Sequence, residues 1–215
     1  MHWLKKWFSY FFEIPIEKVQ SDYSGTIEVL YHKNAYKLTT ENTIYSFGNY
    51  YTSFKKVFEK YNINKFNCSE VLILGIGLGS IVNLLENNST IKNITAVDID
   101  ATIIDLCKKY LNTKHNINYI QQDAYDFVVD NQNKYELILV DLFINATTPQ
   151  QFLSIDFLQA LKNSVSSKAY IVLSKLALNS NQQQENEVFE QNFKQVFANY
   201  QKIFTDGNLL FVVAC

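Results

Sequence analysis

The chain has 215 residues and a formal net charge of −2, and its 19 basic residues are all lysine. This length suits one large α/β domain, or one domain with a small appendage. Nucleic-acid-binding proteins depend on basic patches and on bidentate arginine contacts, so the absence of both argues against a nucleic-acid partner.

The remaining composition excludes several other classes of site. Cys68, Cys107 and Cys215 are widely spaced without a metal-ligand pattern, which predicts free thiols in a reducing cytoplasm. The three histidines lie in unrelated segments, so we predict no metal site. No apolar run reaches the roughly 20 residues that span a bilayer, so no integral membrane segment is expected. The aromatic residues 1–12 predict a short helix packed on the domain or on a second subunit, with a membrane surface as the alternative.

The first regular elements are β-strands. Gly25–His32 and Ala35–Thr40 alternate in polarity on either side of a plausible turn at Lys33–Asn34. This pattern predicts a β-hairpin, with Thr43–Ser46 as a candidate third strand. So small a sheet cannot bury much surface alone, and we expect it to pack on the main domain or on a partner.

The central stretch of the sequence is an apolar run, Val71–Leu74, that leads directly into Gly75, Gly77 and Gly79. Such a run suits a parallel strand buried on both faces. The glycines allow a tight turn and a close approach of backbone to a ligand, and helical spacing begins at Ser80. Tight turns also need glycine for purely structural reasons, so the sequence that follows must decide.

The next apolar run, Ile94–Asp98, ends in an acid roughly twenty residues after the glycines, where a ribose-binding carboxylate is expected. A carboxylate can accept two hydrogen bonds from a ribose diol. Asp100 follows as a natural N-cap of the next helix.

From residue 70 onward strands and helices alternate, which predicts a parallel sheet. The predicted helices span residues 51–61, 101–111, 124–128, 150–161 and 188–197. The predicted later strands span residues 117–122, 135–141, 169–174, 201–204 and 209–214, with Asp206–Gly207 as a hairpin turn and 179–187 as a mobile loop. We divide the chain into a small amino-terminal subdomain, 1–49, and an α/β domain, 50–215.

Four predicted strands end in residues that suit a binding site: the glycine loop, Asp98, Asp123–Ala124 and Asp141. In open parallel sheets the ligand binds at the carboxyl ends of the strands. Packing explains any one of these ends more easily than all four, so together they predict a cleft.

This arrangement resembles the class I S-adenosylmethionine-dependent methyltransferase superfamily, and more narrowly its spermidine synthase-like branch. The resemblance covers nearly the whole chain and rests on Val71–Ser80, Val97–Asp100, Gln122–Phe127, Tyr135–Asp141 and Phe152–Leu161. It implies an α/β, Rossmann-like methyltransferase fold with a mostly parallel seven-stranded sheet, an antiparallel carboxyl-terminal hairpin and a small amino-terminal β-hairpin subdomain.

The resemblance also implies a cofactor, S-adenosylmethionine or a related adenosyl thioether. The implied cofactor-binding residues are Gly75, Gly77, Gly79, Asp98, Ile99, Asp123, Ala124 and Asp141. The glycines lie against the aminoacyl part of the cofactor. Asp98 holds the ribose, Ile99 packs on the adenine, and Asp123 accepts from the adenine amine.

The chain departs from spermidine synthases at three places. The family's acid inside the glycine loop is Leu78 here, apolar Leu142–Ile144 follow Asp141, and the family's Tyr-His-Glu motif reads Tyr45–Phe47. A polycation in so apolar a pocket would lose hydration without recovering it. We therefore expect methylation of a small-molecule acceptor rather than polyamine synthesis.

In this hypothesis the catalytic residues are Asp141 and Tyr45. Asp141 is a weak base or orients the cofactor's amino group, and Tyr45 contacts the acceptor if the hairpin folds over the cleft. Phe143 lines the acceptor pocket, with plain core packing as the alternative for Phe143 and Tyr45. A non-catalytic relative, an aminopropyltransferase and an NAD-dependent enzyme remain alternatives, and a homodimer is compatible with the aromatic amino terminus.

Overall fold

The computed structural model describes residues 2–40, 43–205 and 207–215. Within them the strands are β1 (Ile14–Ser21), β2 (Gly25–His32), β3 (Ala35–Thr39), β4 (Ile44–Ser46), β5 (Glu70–Leu74), β6 (Asn93–Asp98), β7 (Asn116–Gln121), β8 (Tyr135–Val140), β9 (Val165–Leu176), β10 (Gln201–Thr205) and β11 (Asn208–Ala214). The helices are α1 (His2–Phe8), α2 (Lys55–Lys60), α3 (Ser80–Leu85), α4 (Ala101–Tyr110), α5 (Ala124–Asp130), α6 (Ile155–Asn163) and α7 (Ser180–Val196).

The larger sheet has seven strands in the order β10-β11-β9-β8-β5-β6-β7. Strands β5 to β9 pair in parallel, whereas β11 is antiparallel to both β9 and β10. This topology confirms the predicted Rossmann-like methyltransferase fold with its antiparallel carboxyl-terminal hairpin. Of the predicted turn of that hairpin, Asp206 lies outside the described residues, and Gly207 has a φ of 89°.

Strand β5 is buried on both faces because its side chains alternate. Val71 and Ile73 pack in one core with α2, α3 and α4, whereas Leu72 and Leu74 pack in a second core with α5, α6 and α7. All four side chains are fully buried. A strand enclosed on both sides offers no place for a polar residue, which explains the uninterrupted apolar run.

The amino-terminal sheet has four antiparallel strands in the order β1-β2-β3-β4, and so includes the predicted hairpin. The turn at Lys33–Asn34 has positive φ at both residues, 48° and 62°, as hairpin turns require. The sequence did not predict β1, because Pro15 weakens the strand pattern and the pairing is irregular between Pro15 and Glu17. Ile27 and Leu38 are buried in the same core as α3 and α4, so this sheet packs on the larger one.

One predicted segment was wrong in type, and two predicted helices were wrong in their bounds. The predicted mobile loop 179–187 forms the first turns of α7, and the side chain of Asn179 caps that helix. The polar composition of this segment reflects its exposure to solvent rather than a lack of structure. The predicted helix 150–161 is interrupted at Ser154, the N-cap of α6, and the helix predicted over 51–61 is limited to α2.

The aromatic residues at the amino terminus are exposed. The predicted short helix is present as α1, but Trp3, Trp7, Phe11 and Phe12 are between 55% and 70% exposed. The expectation that they pack on the domain is therefore wrong, while packing on a second subunit stays a prediction. No helix in the described part of the chain is both long and apolar enough to cross a bilayer.

Candidate functional site

A cleft of about 290 Å³ opens at the carboxyl ends of β8, β5, β6 and β7. The strand order reverses at β5, which is where open α/β sheets bind their ligands. The loops after these strands line the cleft together with β4 and the turn between β1 and β2. The predicted site residues that line it are Tyr45, Gly75, Gly77, Asp98, Ile99, Asp123, Ala124 and Asp141.

Two glycines of the loop after β5 lie where a side chain does not fit. A Cβ atom on Gly75 would lie 2.3 Å from the carbonyl oxygen of Asp141, and one on Gly77 would lie 3.0 Å from that of Tyr45. Both residues also have positive φ, 85° and 52°. Glycine is therefore required here by the fold itself, and it leaves bare backbone along the cleft.

Gly79 is the one predicted site residue that does not line the cleft. It is the N-cap of α3 with a φ of 79°, and a Cβ atom there would lie 2.7 Å from the Leu111 side chain. Its conformation starts the helix, and a side chain there would meet Leu111 at the end of α4. Gly79 thus has a structural role, and its predicted contact with the cofactor stays a prediction.

Asp98 is held by backbone N–H groups at the end of β6. Its Oδ2 accepts from Ile76 N at 3.1 Å and its Oδ1 from Asp100 N at 3.0 Å. Burial raises the pKa of this carboxyl to about 6, although the two backbone hydrogen bonds lower it in part. The carboxylate is therefore fixed beside the glycine loop, with Ile99 next to it on the cleft surface.

Asp123 is the N-cap of α5. Its Oδ1 accepts from Tyr125 N at 2.7 Å, and its Oδ2 accepts from the amide of Gln151 at 2.8 Å. Ala124 follows it, buried against the cleft. The sequence did not single out Gln151, because the apolar pattern of the predicted helix 150–161 gives no role to its polar residues.

Asp141 follows β8 and is bonded to a tyrosine that the sequence did not indicate. The hydroxyl of Tyr51 donates to Asp141 Oδ2 at 2.5 Å. Burial raises the pKa of the Asp141 carboxyl to about 6, and the Tyr51 hydrogen bond opposes that rise. The Ser174 hydroxyl also lowers this pKa, and the other oxygen, Oδ1, is shielded from solvent.

Tyr45 shows that the small sheet does cover the cleft. Its ring packs edge-on against Phe143 with centroids 5.3 Å apart, and its side chain is 8% exposed. The hydroxyl accepts from Asn145 N at 2.9 Å and donates to Ser24 Oγ at 3.3 Å. Tyr45 and Phe143 therefore pack together and also line the cleft.

Asp100 joins the two sheets at the rim of the cleft. Besides capping α4 through Thr102 N, it accepts hydrogen bonds at Oδ2 from the hydroxyls of Ser21 and Ser24. Asp100 is 3% exposed, so these hydroxyls satisfy a carboxylate that water does not reach. The sequence predicted the cap and missed the link to the turn after β1.

The order of the strands gives the cleft a direction. Asp123 follows β7, Asp98 follows β6, the glycine loop follows β5, and Asp141 follows β8. Neighbouring strands lie about 4.8 Å apart, so three intervals separate the two end carboxylates by about 14 Å. This length suits an elongated ligand that meets Asp123 at one end and Asp141 at the other.

The residues that the structure describes do not meet the usual requirements of a metal site. No group of three or more His, Cys, Asp or Glu side chains there is placed to hold an ion. Cys68 and Cys107 are buried free thiols, and Cys215 is an exposed one.

Comparison with known proteins links this cleft to a family. The chain matches the model of the spermine/spermidine synthase domain over residues 54–206. A probable polyamine aminopropyl transferase of Bifidobacterium longum is 27% identical over 140 residues, covering 65% of this chain and 31% of that protein. The chain spans about a third of the length of the curated relatives that it matches.

Two solved structures share the fold. A spermidine synthase in complex with the transition state analogue AdoDATO superposes with a TM-score of 0.76 at 14% identity, covering 94% of this chain and 73% of that one. Human methyltransferase-like protein 13 in complex with SAH gives a TM-score of 0.61 at 16% identity, covering 74% and 81%. Both proteins were thus solved with an adenosyl compound.

These findings correct the expectation of methyl transfer. The family model and the curated relatives carry the names of polyamine-forming transferases, so they favour the alternative of an aminopropyltransferase over a methyltransferase. The likeness to methyltransferases is one of fold. The family match covers more than half of the chain and includes all four strand ends of the cleft. The chain belongs to the spermine/spermidine synthase domain family.

Proposed function

We propose that this chain transfers an aminopropyl group from decarboxylated S-adenosylmethionine, or a closely related sulfonium, to an amine. The observation that carries the proposal is the family match over the residues that build the cleft. Because the chain spans only about a third of its curated relatives, the activity named for them is a proposal here.

The cleft fits the adenosyl part of such a donor. Asp98 accepts hydrogen bonds from the ribose hydroxyls, and Asp123 accepts from the adenine amine. Ile99 packs on the adenine ring. Gly75 and Gly77 let backbone approach the chain that leads from the ribose to the sulfur. The sulfonium and the aminopropyl group then lie towards Asp141, because Asp141 follows the strand on the far side of β5.

Asp141 is the residue that handles the proton. The nitrogen of the neutral amine attacks the aminopropyl methylene carbon that is bonded to sulfur. The C–N bond forms as this C–S bond breaks, and the electron pair of the broken bond stays on the sulfur of the leaving methylthioadenosine. The nitrogen then loses a proton to Asp141. A carboxyl with its pKa raised to about 6 is a more effective base near neutral pH than an ordinary carboxylate, and Tyr51 fixes its orientation.

The test is the release of methylthioadenosine. Purified protein is incubated with decarboxylated S-adenosylmethionine and an amine, and the nucleoside product is measured by chromatography. We expect methylthioadenosine that depends on the amine, and a loss of at least about 100-fold in the Asp141→Asn variant. Asp105, an exposed carboxylate of α4, gives the matched control Asp105→Asn. Absence of product with every amine, together with no binding of methylthioadenosine in calorimetry, would contradict the proposal.

Three expectations from the sequence are kept here as proposals. The chain acts in the cytoplasm, in keeping with its free thiols. It divides into subdomains 1–49 and 50–215. It forms a homodimer through the aromatic residues of α1 and the segment after it, since large exposed apolar side chains mark interaction sites.

A further inference from the structure

The carboxylates of the cleft differ in whether they are free to bind a cation. Four line it: Asp98, Asp100, Asp123 and Asp141. Asp98 and Asp123 are assigned above to the nucleoside, and Asp100 is 3% exposed with both oxygens already bonded within the protein. Of the four, Asp141 alone follows β8, at the end of the cleft to which the aminopropyl group is assigned. Asp141 is therefore the one of these four carboxylates left to pair with a substrate ammonium.

Apart from the hydroxyls of Tyr51 and Ser174, the surroundings of Asp141 on the cleft side are largely apolar. The three residues that follow it, Leu142, Phe143 and Ile144, all line the cleft. The one polar group of the Tyr45 side chain that faces this region is already bonded to Asn145 N and to a serine hydroxyl. A second positive charge near Asp141 would therefore lie against hydrocarbon.

The number of positive charges beside Asp141 limits the number of amino groups that the acceptor can carry. The donor brings an amino group of its own to this end of the cleft, and the attacking nitrogen must be uncharged to react. A monoamine therefore leaves one ammonium beside one carboxylate. A diamine adds a second ammonium, which would lose its hydration with no second carboxylate after β8 to replace it, and that is strongly unfavourable.

We infer that the acceptor is a monoamine with an apolar chain, rather than a diamine or a polyamine. The inference rests on the proposed function and names the substrate class of that site. It also gives the apolar residues after Asp141 a role, because they bind the hydrocarbon part of the acceptor. The bond changes are those given above, with the proton of the attacking nitrogen passing to Asp141.

The test compares butylamine with 1,4-diaminobutane, which share a four-carbon chain and differ only in the second amino group. Wild-type protein is assayed with decarboxylated S-adenosylmethionine and each amine at pH 8, and methylthioadenosine release gives kcat/KM. We expect kcat/KM for butylamine to exceed that for 1,4-diaminobutane by at least tenfold. Equal or higher kcat/KM for 1,4-diaminobutane would overturn the inference and leave the proposed function intact. Product with neither amine, nor with any other, would overturn both.

A substitution tests the cause of the preference. Phe143→Asp places a second carboxylate beside the acceptor, and we expect the ratio of kcat/KM values to shift at least tenfold towards 1,4-diaminobutane. Phe143→Leu is the matched control, since it shortens the side chain without adding charge, and it should keep the preference for butylamine. An unchanged ratio in a folded Phe143→Asp protein would contradict the inference. If that variant does not fold, the wild-type comparison still decides.

Discussion

Replacing Asp141 by asparagine is expected to stabilise the protein at pH 8 while abolishing transfer. Burial raises the pKa of the Asp141 carboxyl from 3.8 to about 6. The native state thus binds this proton more tightly than the unfolded chain, so the free energy of unfolding falls as the pH rises from about 4 to about 6 and is level above that. A rise of about two pKa units corresponds to about 3 kcal/mol. Above pH 6, where Asp141 is charged in the native state, the free energy of unfolding is lower by this amount.

The asparagine variant keeps an oxygen that accepts from Tyr51 and carries no buried charge. Since its new amide N–H groups also need partners, we expect a net gain of about 1–3 kcal/mol at pH 8. Urea unfolding of wild type, Asp141→Asn and the exposed control Asp105→Asn, at pH 8 and at pH 4.5, measures this gain. It should shrink at the lower pH and be absent in the control. A loss of stability at pH 8, or a gain independent of pH, would refute the reasoning.

Three further substitutions test other contacts. Gly75→Ala should destabilise the protein by at least about 2 kcal/mol in urea unfolding, since its Cβ would meet the Asp141 carbonyl oxygen at 2.3 Å and its φ is 85°. Tyr51→Phe removes the bond that lowers the pKa of Asp141, so the acid limb of the kcat/KM profile should move up by about 1–2 pH units. Ser21→Ala should cost about 1–3 kcal/mol in thermal unfolding, because buried Asp100 loses a donor.

Each of these has a matched control. Gly25→Ala introduces alanine at a φ of 68° where nothing lies within 4 Å of the new atom, and it should cost less than Gly75→Ala. Tyr50→Phe removes a hydroxyl from an exposed neighbour and should leave the pH profile unchanged. Ser180→Ala removes an exposed hydroxyl. If a substitution changes the stability, or for Tyr51→Phe the pH profile, no more than its control does, the corresponding contact is contradicted.

The parts of the fold that the sequence predicts best are those with a single physical requirement. Val71–Leu74 must be apolar because the strand is enclosed on both faces, and the following turn must contain glycine because backbone lies within contact distance. Asp98, Asp123 and Asp141 could be grouped because parallel strands end at one edge of the sheet. Gly79 continues the alternate spacing of Gly75 and Gly77 but is the N-cap of α3. The spacing alone therefore does not separate glycines that line the cleft from one that starts a helix.

Contacts between distant segments were beyond the sequence. Tyr51 is 90 residues from Asp141, and Ser21 is 79 residues from Asp100. Ser21 lies outside the predicted elements and Tyr51 is the first residue of the predicted helix 51–61, and neither position marks its residue as a partner of a distant carboxylate. The transferred group was also beyond the sequence. The apolar residues after Asp141 bear on the charge that the acceptor can carry, and they do not distinguish an aminopropyl donor from a methyl donor.

The position of the nucleoside is the most direct test of the account. A crystal structure of the protein with methylthioadenosine should show the ribose hydroxyls within about 3.2 Å of the Asp98 carboxylate. The adenine should lie beside Ile99 and Asp123, and the sulfur should point towards Asp141. A nucleoside bound outside this cleft, or bound in it with its sulfur towards Asp123, would contradict the account.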